Sequence, residues 1–158
     1  MPLHLVTDRT QADVDLVHAL NQKKWADLTE EERNYFLYAD VVKGAYNHTD
    51  LIRVETAVQF LANELNELGF PVWVNVKTNW TRWDIPTGPV MVRYLHNLQT
   101  LRNAVEAFKT LSEPLPSDMA HLTFEDANRI ERLLQVIEQW VTDMRNNKTY
   151  TGELFCGE

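Results

Sequence analysis

The side chains able to do chemistry at neutral pH are scattered along this chain. Its five histidines, His4, His18, His48, His96 and His121, fall one to a predicted element or loop. No two stand at i, i+4 on a helix, and none pairs with a cysteine at ligand spacing, so the pattern assembles no metal site. Cys156 is the only cysteine, which excludes an intramolecular disulfide. A nucleophilic role for it would need a histidine and an activating environment, and its neighbours in sequence offer neither. The two serines, Ser112 and Ser117, sit in a proline-rich stretch without the setting of a nucleophile elbow. Five dispersed glycines form neither a phosphate loop nor a dinucleotide fingerprint. Carboxylates are plentiful, but Glu30, Glu31 and Glu32 suit the first turn of a helix, where the dipole favours them. Glu55, Glu64 and Glu67 fall off the apolar face of a helix and read as a solvated flank. No residue is assigned a catalytic, cofactor-binding or metal-binding role. The chain reads as a structural or binding protein rather than an enzyme.

Trp73, Trp80 and Trp83 lie within eleven residues of one another and form the most suggestive group. Three readings stay open for them: pinning a loop to the core, anchoring a protein partner, or stacking on a sugar. They are the candidate partner surface.

Composition narrows the classes. The 158 residues fit one domain, 1–158, large enough to bury a core without help from metal or disulfide. At 44% hydrophobic and 24% charged, the chain is ordinary for a folded protein. Fifteen basic against 23 acidic residues give a net charge of −8, and Lys23-Lys24 is the only adjacent basic pair. Such a surface repels nucleic acid and anionic membrane alike, so neither is expected as a partner. No run approaches the length of a membrane span, and Met1-Pro2-Leu3-His4-Leu5-Val6 lacks the features of a signal peptide.

The elements that would position these residues are mainly helical. Thr10-Gln11-Ala12-Asp13 has capping-box spacing and opens a helix of about 11–23; Thr29 to Glu32 opens a second, stopped by Gly44. A third starts at Thr49-Asp50, carries Val54, Val58, Leu61, Leu65 and Leu68 on one face, and ends at Gly69. Residues 72–77 are β-branched and aromatic and predict a strand. Residues 78–88 read as a loop, and Pro89 fits the first turn of a helix running to about 109. Ser112 to Ser117 reads as a stiff loop. Thr123 caps a last helix ending near Asn146–Asn147, and the tail suggests a short strand around Leu154–Phe155. About 60% of the chain is then helical, well above the roughly one-third of an average protein. Short connections favour antiparallel neighbours. The expectation is an antiparallel bundle of about five helices with a small β patch, residues 72–77 pairing with Leu3–Thr7 or the C-terminal tail. No internal repeat is evident.

Five stretches also carry a resemblance. Thr7 to Val14, Lys43 to Leu51 with Arg53-Val54-Glu55, Val76 to Trp80, Leu122 to Glu131, and Tyr150 to Glu158 are collinear blocks. Together they resemble a helical module of phage and prophage minor structural proteins from Gram-positive, largely clostridial, bacteria. Such modules belong to longer tail or baseplate chains and have no catalytic residues assigned. This chain departs in starting almost at the module itself, and in placing Cys156 where the family tends to have a small polar residue. The resemblance implies a virion location after synthesis in the bacterial cytoplasm, with other tail proteins or further copies of the chain as partners and no cofactor. The alternative function is carbohydrate binding at the host surface through the tryptophans.

Overall fold

The computed structural model describes residues 3–39 and 41–154. Its elements are α1 (Gln11–Asn21), a short 3-10 turn (Trp25–Asp27), α2 (Glu30–Tyr38), α3 (His48–Glu67), α4 (Gly88–Glu106) and α5 (Phe124–Leu154). Full capping boxes start α1 at Thr10, α2 at Thr29 and α3 at Asn47. Thr123 and Asp126 exchange the same pair of bonds at the start of α5. Each box satisfies two amide donors that the first turn would otherwise leave unpaired. Gly69, at φ +91°, closes α3 in the left-handed region that glycine enters without steric cost.

The core lies among α3, α4 and α5. These three helices run parallel, not antiparallel as expected. Near their N-terminal ends Arg53 of α3 meets Glu131 of α5, and Arg93 of α4 meets Glu55 of α3. Toward the other end Glu64 and Glu67 of α3 meet Arg145 of α5. Past the ends of α3 and α4, Phe70 and Phe108 pack against each other and against Trp140 of α5. Parallel neighbours require connections that travel back the length of a helix. An extended residue advances about 3.3 Å against 1.5 Å in a helix, so some ten extended residues undo twenty helical ones. Residues 70–80 and 111–122 do this.

The β patch is not observed. Among the described residues there is no strand, and 70–80 pairs with side chains instead. Asn66 accepts from the Val72 amide at 3.0 Å and donates to the Val72 carbonyl at 2.8 Å. Asn97 accepts from the Asn75 amide at 3.0 Å and donates to its carbonyl at 2.6 Å. Glu55 accepts from the Lys77 amide at 2.6 Å. A side-chain amide offers one acceptor and two donors, so it satisfies a backbone residue as a neighbouring strand would. From Val72 to Lys77 the segment passes from Asn66 to Glu55, about 16 Å of helix covered by five residues, which is fully extended chain.

The N-terminal segment is held likewise, against α5. The Leu3 amide donates to Glu138, the Val6 amide to Glu131, and Arg9 exchanges bonds with the Asn128 amide at both its N–H and its carbonyl. The sequence expectation for the tail also changes. Residues 148–154 continue α5, so Leu154 is helical rather than a strand residue, while Phe155 lies outside the described residues. The second helix ends at Tyr38, six residues short of Gly44. Gly44 instead packs on α1, where a Cβ would stand 2.0 Å from the Asp13 carbonyl oxygen.

Candidate functional site

Two polar clusters are built into the N-terminal half of the bundle. In the first, Arg9 reaches Asp50 at 2.8 Å and Glu131 at 2.7 Å, and Arg53 grips Glu131 with Nε at 2.9 Å and Nη2 at 2.8 Å. Arg53 also bonds Asp50, its neighbour one turn back. Two cations thus face two carboxylates, and Arg9, Asp50 and Glu131 are buried. Burial by itself would make the Arg53 guanidinium easier to deprotonate. The Glu131 hydrogen bond and the charges of Glu131 and Asp50 outweigh it and raise its pKa further. Arg9 stacks above the Tyr46 ring at 5.7 Å, and its Nε is buried without a hydrogen-bond partner. Tyr46 and Tyr94 share a 2.5 Å hydroxyl–hydroxyl bond beside this cluster. Desolvation pushes both hydroxyls well above the usual tyrosine range; for Tyr46 the bond from Tyr94 offsets part of that rise.

In the second cluster Glu55 takes Arg93 through both guanidinium nitrogens, at 2.7 and 2.8 Å. It also accepts the Trp80 indole N–H at 3.0 Å and the Lys77 amide. Arg93 bonds the Asn75 carbonyl. Glu55 is therefore not on a solvated flank. It is buried, with its charge answered by a bidentate cation and two further donors. Glu64 and Glu67 fit the flank reading better, as partners of Arg145.

Within each cluster the carboxylates are taken up by cations and amide donors, which is the arrangement of a structural clamp. Neither presents a free acid or base to a cleft. Among the described residues no group of three or more histidine, cysteine, aspartate and glutamate side chains converges to hold a metal, and no helix is long and apolar enough to cross a membrane. His4, His18, His96 and His121 are exposed and His48 is half-buried, each apart from the others. Ser117 lines a groove and Ser112 is exposed. Cys156 lies outside the described residues.

The tryptophans separate. Trp80 is 5% exposed and belongs to the Glu55 cluster, with the Lys77 ammonium 4.2 Å above its ring. Trp73 and Trp83 are 87% and 85% exposed. Their positions follow from the descending segment. Val72 is buried while its neighbours Pro71 and Trp73 face out, as alternation on extended chain demands. After Trp80 the chain turns at 81–84, where Asp84 accepts from the Thr81 amide at 2.7 Å and from its hydroxyl at 3.1 Å. Those bonds and the Lys77 ammonium hold the Asp84 carboxyl below the usual carboxylate range.

Sequence reading missed a groove beyond that turn. It is lined by Pro86, Met91, Val92 and Leu95 on one side and by Met119 and Leu122 on the other, with Asp118 its one charged lining residue. Ile85, next to Pro86, is 84% exposed and Val92 is 69% exposed. An observable signal was the spacing Met91, Val92, Leu95, which puts apolar residues beside the buried stripe Tyr94, Leu98, Leu101 and widens it beyond what the core covers. Comparison with family models, with curated proteins and with solved structures finds no match to this chain.

Proposed function

We propose that this chain is a non-enzymatic protein-binding module, acting in or near a phage tail through the surface around Trp83, Ile85 and Val92. The observation that carries the binding reading is the outward display of large apolar side chains on a turn whose base is fixed. Trp80 and Asp84 anchor the turn, and between and after them Trp83 and Ile85 project into solvent beside an apolar groove. Fixed anchors lose little conformational freedom on association, which is what makes exposed aromatics effective at interfaces. The tail setting is supported by the resemblance of the five collinear blocks. Partners in that setting are other tail proteins or further copies of the chain.

The test is pull-down and titration against the products of neighbouring tail genes. Trp83→Ala should cost at least about 2 kcal/mol of binding, roughly 30-fold in Kd, if it is a central anchor. Retained affinity across Trp83→Ala, Ile85→Ser and Val92→Ser would sink this surface as the interface. A second reading is favoured by the exposure of both Trp73 and Trp83: a carbohydrate platform at the host surface. Binding to purified cell-wall glycan, lost in Trp73→Ala and Trp83→Ala while tail-protein binding stays absent, would support it instead.

A further inference from the structure

We propose that the chain contains three copies of one unit, an extended descending segment followed by a long helix, arranged around a pseudo-threefold axis, and that the third copy has lost its polar clamp as a set. The helices register from their N-caps, Asn47, Thr87 and Thr123. Six residues on stands an arginine in each: Arg53, Arg93 and Arg129. Twelve residues on stands a glutamine in each: Gln59, Gln99 and Gln135. Between and beyond them the core positions coincide. Val54, Tyr94 and Ile130 are buried at one level, then Val58, Leu98 and Leu134, then Leu61, Leu101 and Ile137, then Leu65, Val105 and Val141. Parallel helices in equal register stack equivalent residues in layers, which antiparallel ones do not.

The segments register too. Leu5-Val6-Thr7-Asp8-Arg9, Val76-Lys77-Thr78-Asn79-Trp80 and Leu115-Pro116-Ser117-Asp118-Met119 share a hydroxyl followed by an acid or its amide. In the first copy the carboxylate eight residues past the N-cap of α5, Glu131, accepts from the Val6 amide at 2.6 Å, from the Arg9 side chain at 2.7 Å, and from Arg53 of the next helix. In the second, the carboxylate at the same place in α3, Glu55, accepts from the Lys77 amide at 2.6 Å, from the Trp80 side chain at 3.0 Å, and from Arg93 of the next helix. Both amides bond Oε2, and both side chains bond Oε1. The arrangement is cyclic, since the segment that opens the chain docks on its last helix.

In the third copy the carboxylate position is Leu95, the amide position is Pro116, which has no N–H, and the side-chain donor is Met119. Acceptor and both segment donors are gone together, and the half-buried Leu95, Pro116 and Met119 stand in their places. Arg129, freed of that role, pairs with Glu125 and Asp126 of its own helix. Leu95 and Met119 now line the apolar groove. Sequence reading found no repeat because only the arginine and glutamine are identical, the N-caps are 40 and then 36 residues apart, and α1 and α2 interrupt the first copy.

The test rebuilds the missing clamp in the full chain. Leu95→Glu alone should lower the melting temperature, since it adds a carboxylate without the two segment donors. Leu95→Glu with Pro116→Val and Met119→Arg should recover that loss, by about 3 °C or more over the single variant. Adding Arg129→Ala should then lower the rebuilt chain's melting temperature while leaving the native chain's nearly unchanged. Should the rebuilt chain not fold, a second pair decides. Proline is sterically accepted at this place in the third segment, so Lys77→Pro, measured against Lys77→Ala to allow for the lost ammonium on Asp84 and Trp80, removes chiefly an N–H and should destabilise by several degrees, whereas Pro116→Val should not. A rebuilt chain that folds but melts no higher than Leu95→Glu, or equal effects of Lys77→Pro and Pro116→Val, overturns the proposal.

Discussion

Glu55 and Glu131 each satisfy a backbone amide, a side-chain donor and an arginine from inside the bundle, so each joins three pieces of chain at one carboxylate. Removing one partner of a buried pair leaves the other charge unanswered. Glu55→Leu should therefore destabilise by about 3 kcal/mol, measured by denaturant titration, and Glu131→Leu by as much or more. An effect below about 1 kcal/mol for both would mean that the clamps do not hold the segments. The tyrosine pair makes a prediction with a definite sign. Tyr46 and Tyr94 have raised pKa values in the folded state, so their contribution is fully present below the unfolded value of about 10 and is lost as pH rises above it. Ultraviolet titration should show these two hydroxyls ionising only as the chain unfolds. Stability of the double Phe variant should fall less steeply above pH 10 than that of the native chain. Little of this was legible beforehand. Glu55 looks like a flank residue by helical periodicity, because its partners come from segments that periodicity does not place.

Among the elements, most helix starts were legible because caps are local: Thr10, Thr29 and Thr123 bond amides three residues away, while the third helix starts at His48 under Asn47 and not at Thr49. The 72–77 segment was read as a strand from its β-branched and aromatic residues, and the conformation is extended, though no strand forms. Its partners were wrong because Asn66 and Asn97 substitute for a strand, and a lone asparagine on a helix carries no mark of that duty. Asn97→Ala would orphan the Asn75 amide and remove one bond to its carbonyl, costing about 2 kcal/mol; Asn97→Leu should be no better. Hydrogen exchange should show the Asn75 amide losing protection in both. Helix direction was misread because the connections were taken as short, whereas each is long enough to return when extended. Gly44 makes a separate prediction. Gly44→Ala would drive a methyl into the Asp13 carbonyl, so α1 should detach or the chain should melt several degrees lower.

For the whole molecule, a core of three parallel helices sealed by three descending segments closes the chain on itself, first segment against last helix, with no metal cluster among the described residues. Melting should be unchanged by chelator or reductant. On this scaffold Trp83, Ile85 and Val92 are exposed, and Val92 lines the apolar groove with Leu95 and Met119. Their display, and the resemblance to phage structural modules, support the proposed association with tail proteins. Quantitative mass spectrometry of purified particles tests that association, with the particles produced from a prophage carrying this gene in native form and as Trp83→Ala/Val92→Ser. The native chain should be present at a constant copy number per particle, and the variant, folded by circular dichroism, should be depleted at least tenfold. A native chain absent from particles, or a variant incorporated as fully as the native chain, would rule that association out.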